Sequence, residues 1–183
     1  MARFAVTLYA GSRRTYPAAY GHIARDLGKA IAVHGWVLVY GGASIGLMGA
    51  CADAALAAGG RVEGVILDTF ARVVHHGVES MEVVSNMRDR KAGLAHRGDA
   101  FVILPGGFGT LEELSEILVE RQLAIHEKPV VVLDPDGFWE PLRAQFAAMV
   151  RAGLLKQTYV DVVDFVSHVP GAMAIVERAA ARR

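Results

Sequence analysis

Short apolar runs separated by longer stretches with helical spacing make up most of the chain. The runs at 4–10, 36–40, 62–67, 100–104 and 128–133 have strand length, and most are apolar at successive rather than alternate positions. That pattern predicts strands buried on both faces of a parallel sheet. The stretches 81–84 and 159–163 read as further short strands or extended chain, and the pattern does not place the first of them in the sheet. Helical spacing runs through 17–33, where Tyr20, Ile23, Leu27, Ala30 and Ile31 share a side, and through the Ala-rich 47–58, closed by Gly59 and Gly60. It recurs at 86–98, 138–152 with Pro141 in its first turns, and 171–181. Residues 68–80 have no clear period and read as a loop or a short irregular helix. Strands alternating with helices predict an α/β fold: a doubly wound, Rossmann-like parallel sheet with helices on both faces, in one domain spanning 1–183.

One stretch, 99–116 (DAFVILPGGFGTLEELSE), carries most of the functional signal. A buried strand ends at Pro105, Gly106 and Gly107, because Pro has no N–H and Gly adopts dihedrals other residues avoid. Gly109 keeps the loop thin. Thr110 followed three residues later by Glu113 has the spacing of a capping box, and Leu111, Leu114, Ile117 and Leu118 supply a buried stripe. A glycine loop between a strand and a helix start presents free N–H groups and the positive end of the helix dipole, which suits a phosphate. Glu112, Glu113 and Glu116 would repel that phosphate if they touched it. Phosphate on the loop and a carboxylate at a sugar is the simplest division of labour. The competing reading is that Glu113 only completes the cap.

Composition narrows the classes. The 183 residues carry 19 Lys and Arg against 19 Asp and Glu, so no global basic field points to nucleic acid. A single cysteine, Cys51, permits no intramolecular disulfide and fits a reducing compartment. No segment has the uninterrupted apolar length of a membrane span, and the N-terminus lacks a clear secretory pattern. The expectation is a cytoplasmic protein with no membrane and no nucleic-acid partner. No two of the seven histidines have ligand spacing on one helix, so no metal site is expected.

Three other motifs compete. YGGASIGLMG follows a strand and opens a helix, but its spacing is not G-x-G-x-x-G, and it lacks the Lys-Ser/Thr of a P-loop. Gly42-x-Ser44-x-Gly46 has nucleophile-elbow spacing, with Asp134 and His168 following in hydrolase order, but the oxyanion loop is missing. Arg88, Arg90 and Lys91 fall in the first turns of the 86–98 helix, the unfavourable end for cations, at about 0.3–1 kcal/mol each when exposed. A phosphate or a carboxylate such as Glu113 would offset that cost.

NMRDRKAGLAHRGDAFVILPGGFGTLEELSE resembles the paired signature of the Lonely Guy (LOG) family, formerly "lysine decarboxylase-like": a Met-His-x-Arg-Lys segment followed by PGGxGTxxE. GGASIGLMGACADAALAAGG and HEKPVVVL-x-x-x-GFWEPL are similar to its other blocks, so the resemblance covers about 4–155. It implies a cytokinin riboside 5′-monophosphate phosphoribohydrolase, an N-glycosidase acting on AMP or N6-substituted AMP as a homodimer, with no cofactor. It further implies Arg90 and Glu113 as the catalytic pair. Lys91, Gly106, Gly107, Phe108, Gly109, Thr110, Leu111 and Glu112 would then line the nucleotide site. Arg88 stands where the family has His, and VERQLAIHEKP lacks the family's Thr-Trp before Gln-Leu. A carrier of a nucleotide or phosphorylated cofactor, as in the fold-related molybdenum-cofactor carriers, is the alternative. Such a carrier needs the loop but not the carboxylate.

Overall fold

The computed structural model describes residues 3–78 and 80–182. Among them, seven strands form one sheet: β1 (Ala5–Tyr9), β2 (Val37–Tyr40), β3 (Arg61–Leu67), β4 (Ser80–Val84), β5 (Ala100–Ile103), β6 (Val130–Leu133) and β7 (Val163–Val166). The order is β4-β3-β2-β1-β5-β6-β7, with every neighbouring pair parallel. The expected doubly wound α/β sheet is therefore present. Its helices are α1 (Ala18–Val33), α2 (Gly46–Ala57), α3 (Met87–Arg97), α4 (Phe108–Gln122), α5 (Glu140–Arg151), α6 (Gln157–Val160) and α7 (Val169–Ala180).

The apolar runs are continuous because each central strand feeds two cores. Val6 and Leu8 of β1 join Val102 of β5 in a core completed by α1, α2 and α7. Ala5 and Tyr9 join Phe101 and Ile103 in a second core, beneath Leu94 of α3 and Leu114 and Ile117 of α4. Each fully buried Leu or Ile contributes roughly 1.5–3 kcal/mol relative to exposure. On the first face α1 and α2 pack in direct contact at Gly28, where a Cβ would lie 2.1 Å from the Cys51 carbonyl oxygen.

The chain winds outward from β1 to β4, then returns through α3 to β5 on the other side of β1. The β1–β5 junction is thus the topological switch point, the place where such sheets bind ligands. Three glycine turns meet there. Gly11 N–H donates to the Pro105 oxygen at 3.0 Å, and the Gly11 oxygen accepts from Leu47 N–H at 2.9 Å. Gly46, at φ +69°, would place a Cβ 2.4 Å from the Gly11 oxygen, so this contact requires glycine twice over.

Two local expectations are revised and one is completed. Residues 80–84 form β4, an edge strand beside β3, with the carboxylate of Glu82 bonded to Arg97; only its weak apolar pattern hid its place. The stretch 159–163 is not a strand. Gln157 Nε2 donates to Asp161 Oδ1 at 2.8 Å, closing the helical turn of α6, and β7 begins only at Val163. The second revision concerns Thr110 and is described with the site. Within 68–80, Asp68–Val73 is a short 3-10 helix with a kink at Phe70, as the missing period suggested, while Glu79 lies outside the described residues.

Candidate active site

α4 begins three residues earlier than the capping-box spacing implied. Its N-cap is Gly107, in extended backbone, and no side chain caps it. Thr110 lies inside the first turn and is buried, with its hydroxyl against Gly106, where a Cβ would come within 2.0 Å. The early start follows from the glycines: Gly106 leaves room for Thr110 to fold back. Glu113 therefore does not complete a cap. The first N–H groups of α4 are left facing the crevice without a side-chain partner, and Leu111 N–H is the first to close onto the Gly107 oxygen, at 3.0 Å.

Glu113 instead turns inward, one helical turn along α4, and is 93 % buried. Its Oε1 accepts from Arg90 Nη1 at 3.0 Å. Arg90 is equally buried, and its Nη2 lies 3.4 Å from the Gly41 oxygen at the end of β2. Arg90 Nε is buried without a hydrogen-bond partner. The start of α3 is set firmly, because Asn86 accepts from Asp89 N–H at 2.9 Å and its Nδ2 donates to Asp89 Oδ2 at 2.8 Å. Burial pushes the Glu113 carboxyl up to about 7, against the opposing pull of the Arg90 guanidinium. A carboxyl that changes charge near neutrality, beside a fixed cation, is suited to proton transfer or to stabilising a developing positive centre.

Two of the misplaced cations of α3, Arg90 and Lys91, are thus offset by acids of α4, while Arg88 is exposed. Lys91 Nζ lies 2.9 Å from Glu112 Oε1 and 3.2 Å from Glu116 Oε2. Those two bonds hold the Lys91 ammonium above its ordinary value.

A cavity of about 810 Å³ opens at the switch point. Arg90, Gly106, Gly107, Phe108, Gly109, Thr110 and Glu113 all line it. Lys91, Leu111 and Glu112 do not, and Lys91 and Glu112 are occupied with each other. The rest of the wall includes Tyr16, Tyr20, Met48, Phe70, Val73 and Phe138, of which only Met48 and Phe138 lie within the sequence motifs and none is a predicted site residue. The signal they share in the sequence is position, since each follows the carboxyl end of a strand. The nucleophile-elbow reading is not supported by the geometry. Ser44 Oγ donates to the Val73 oxygen, Asp134 Oδ1 accepts from Trp139 N–H, and His168 Nδ1 accepts from Gly171 N–H. Each of the three serves its own loop or cap. Among the described residues, no three His, Cys, Asp or Glu side chains cluster as a metal site would need, and no helix is long and apolar enough to cross a membrane.

A sheet wound both ways from β1, with its crevice at the carboxyl ends of β1 and β5, defines the Rossmann-like class of ligand-binding proteins. Within that class, residues 48–176 match the family described as "Possible lysine decarboxylase". The chain belongs to this family, the Lonely Guy family. It is 39 % identical over 174 residues to the cytokinin riboside 5′-monophosphate phosphoribohydrolase of Rhodococcoides fascians, covering 93 % of this chain and 88 % of that one. It is 37 % identical over 153 residues to the protein of the same name from Mycobacterium tuberculosis, covering 82 % of each. Among solved structures, the molybdenum cofactor carrier protein of Chlamydomonas reinhardtii superposes with a TM-score of 0.76 at 27 % identity, covering 98 % of this chain and 99 % of that one.

Proposed function

We propose that the chain hydrolyses the N-glycosidic bond of nucleoside 5′-monophosphates, AMP or N6-substituted AMP, releasing the free base and ribose 5-phosphate. The observation that carries this reading is the buried Arg90–Glu113 pair beside an uncapped glycine-loop helix start, within one cavity. The names of the relatives from R. fascians and M. tuberculosis support it. The 5′-phosphate sits on the N–H groups of Phe108, Gly109 and Thr110, where the helix dipole favours an anion. The ribose lies one helical turn further in. Arg90 fixes Glu113 by Oε1 and leaves Oε2 for the sugar.

Cleavage breaks the C1′–N bond, with its electron pair leaving on the base. Positive charge gathers at the anomeric carbon, where the Glu113 carboxylate stabilises it. Water then bonds to C1′ and gives one proton to Glu113, while the departing base takes a proton from solvent and Glu113 afterwards returns its own to solvent. Lys91 and Glu112 act at one remove, tying α3 to α4 and so Arg90 to Glu113. The enzyme works in the cytoplasm as a homodimer. Val119, Leu123 and Ile125, together at the end of α4 and more than half exposed, supply an apolar contact for the second copy.

The likeness to molybdenum-cofactor carriers favours one second reading, a carrier that binds without turnover. Incubation with AMP and with an N6-isoprenoid-substituted AMP, followed by chromatography for free base, separates the two. Stoichiometric base and ribose 5-phosphate is the expected result. Tight binding with no base from either nucleotide would establish the carrier instead.

A further inference from the structure

We infer that His75 and Asp53 form a positioning pair that holds the base-side wall of the cavity and thereby sets which purine substituents are accepted. The inference rests on the phosphoribohydrolase reading for the direction in which the nucleotide lies. The anion seat is at the end of β5, and Arg90 runs from Glu113 on α4 to the Gly41 oxygen at the end of β2. A nucleotide laid along that line carries its base onward, toward the β3 side of the sheet. The cavity wall there is built of Ala43, Met48, Phe70, Val73 and Met87. None of these side chains reads a base edge through hydrogen bonds of ordinary strength, so the wall selects by shape and apolarity.

Phe70 and Val73 belong to the 3-10 segment Asp68–Val73, which has no buried residue. Val73 packs half-buried against the core, and polar ties fix the rest. Ser44 N–H donates to the Val73 oxygen at 2.8 Å, and His75 N–H to the Gly42 oxygen at 3.0 Å. The His75 ring completes the set. Gly77 N–H donates to Nδ1 at 3.1 Å, so Nδ1 is the acceptor and Nε2 carries the proton. Nε2–H donates to Asp53 Oδ1 on α2 at 3.0 Å. His75 is 8 % exposed, while the Asp53 side chain is 68 % exposed. The wall is thus anchored through one imidazole to a helix on the far side of the Gly42–Ser44 turn. Neither residue lines the main cavity, so both act through Phe70 and Val73.

The test uses Asp53→Ala, which the exposed site tolerates without unfolding, with Asp53→Asn as the variant that keeps the acceptor oxygen. KM and kcat are measured for AMP and for N6-isoprenoid-substituted AMP. Asp53→Ala is expected to raise KM for the substituted nucleotide about tenfold, to leave KM for AMP within about twofold, and to leave kcat for both within about threefold. Asp53→Asn is expected to restore KM to within about threefold of the wild type. Phe70→Ala should lower the preference for the substituted nucleotide in the same sense. An unchanged ratio of the two KM values in Asp53→Ala overturns the inference, as does an equal loss of kcat on both nucleotides. Absence of base release by the wild type defeats the phosphoribohydrolase reading separately. The same comparison is then made on dissociation constants, where equal effects on both nucleotides, or no binding of either, again overturn it.

Discussion

Glu113 carries the charge this site depends on in a place that disfavours charge. Burial lifts its carboxyl from an ordinary 4.5 to about 7, although Arg90 pulls the other way. Two predictions follow at this scale. The first is kinetic. A carboxylate must be ionised to act as base, so kcat/KM for AMP should rise with pH through a limb near 7, above the phosphate's own ionisation near about 6. A profile falling through 7 would assign Glu113 the role of acid. The second is thermodynamic. The folded chain holds the Glu113 proton up to about pH 7, whereas the unfolded chain releases it near 4.5. The stability this contributes is complete below 4.5 and is lost as pH rises through 7. Chemical denaturation of the wild type and Glu113→Gln at pH 5 and pH 8 should therefore show the variant gaining relative stability at the higher pH. An unchanged difference would mean Glu113 is not held up by burial. The sequence marked Glu113 and Arg90 through their motif, but their burial and contact depend on where α3 and α4 cross, which no local pattern encodes. The capping-box spacing misled because Thr110 and Glu113 satisfy it while both are buried for other reasons.

At the scale of elements, the close pairs are what align the site. α2 carries Gly46 and Asp53, and it is held against α1 where Gly28 meets the Cys51 carbonyl. Gly28→Ala is expected to cost about 1–3 kcal/mol by overpacking, read as a lower denaturation midpoint, because backbone cannot yield as a side chain can. A midpoint equal to the wild type would show that the helices part without cost. Most helices were legible to within a residue or two, since the apolar stripe of α1 and the Gly59-Gly60 stop of α2 are local signals. β4 and α6 were not. β4 lies at the sheet edge, mostly half-buried or exposed, and so lacks an apolar run. α6 is a single turn that depends on the Gln157–Asp161 bond.

For the whole molecule, the order of strands converts three separated glycine turns into one crevice. The successive apolar runs announced a parallel sheet, but its order depends on which way each crossover turns. The aromatic wall of Tyr16, Tyr20, Phe70 and Phe138 became visible only when that order was known. The proposed homodimer predicts a sedimenting mass of twice 19.6 kDa, and Leu123→Glu, on the exposed end of α4, should shift it toward 19.6 kDa. A wild type that sediments as a single chain would remove the dimer. The chemistry itself is tested most directly by measuring base release and nucleotide affinity together in Glu113→Gln. Hydrolysis at the Arg90–Glu113 pair predicts that turnover on AMP falls by about 10²-fold or more while the dissociation constant for AMP stays within about threefold. Turnover equal to that of the wild type would contradict it.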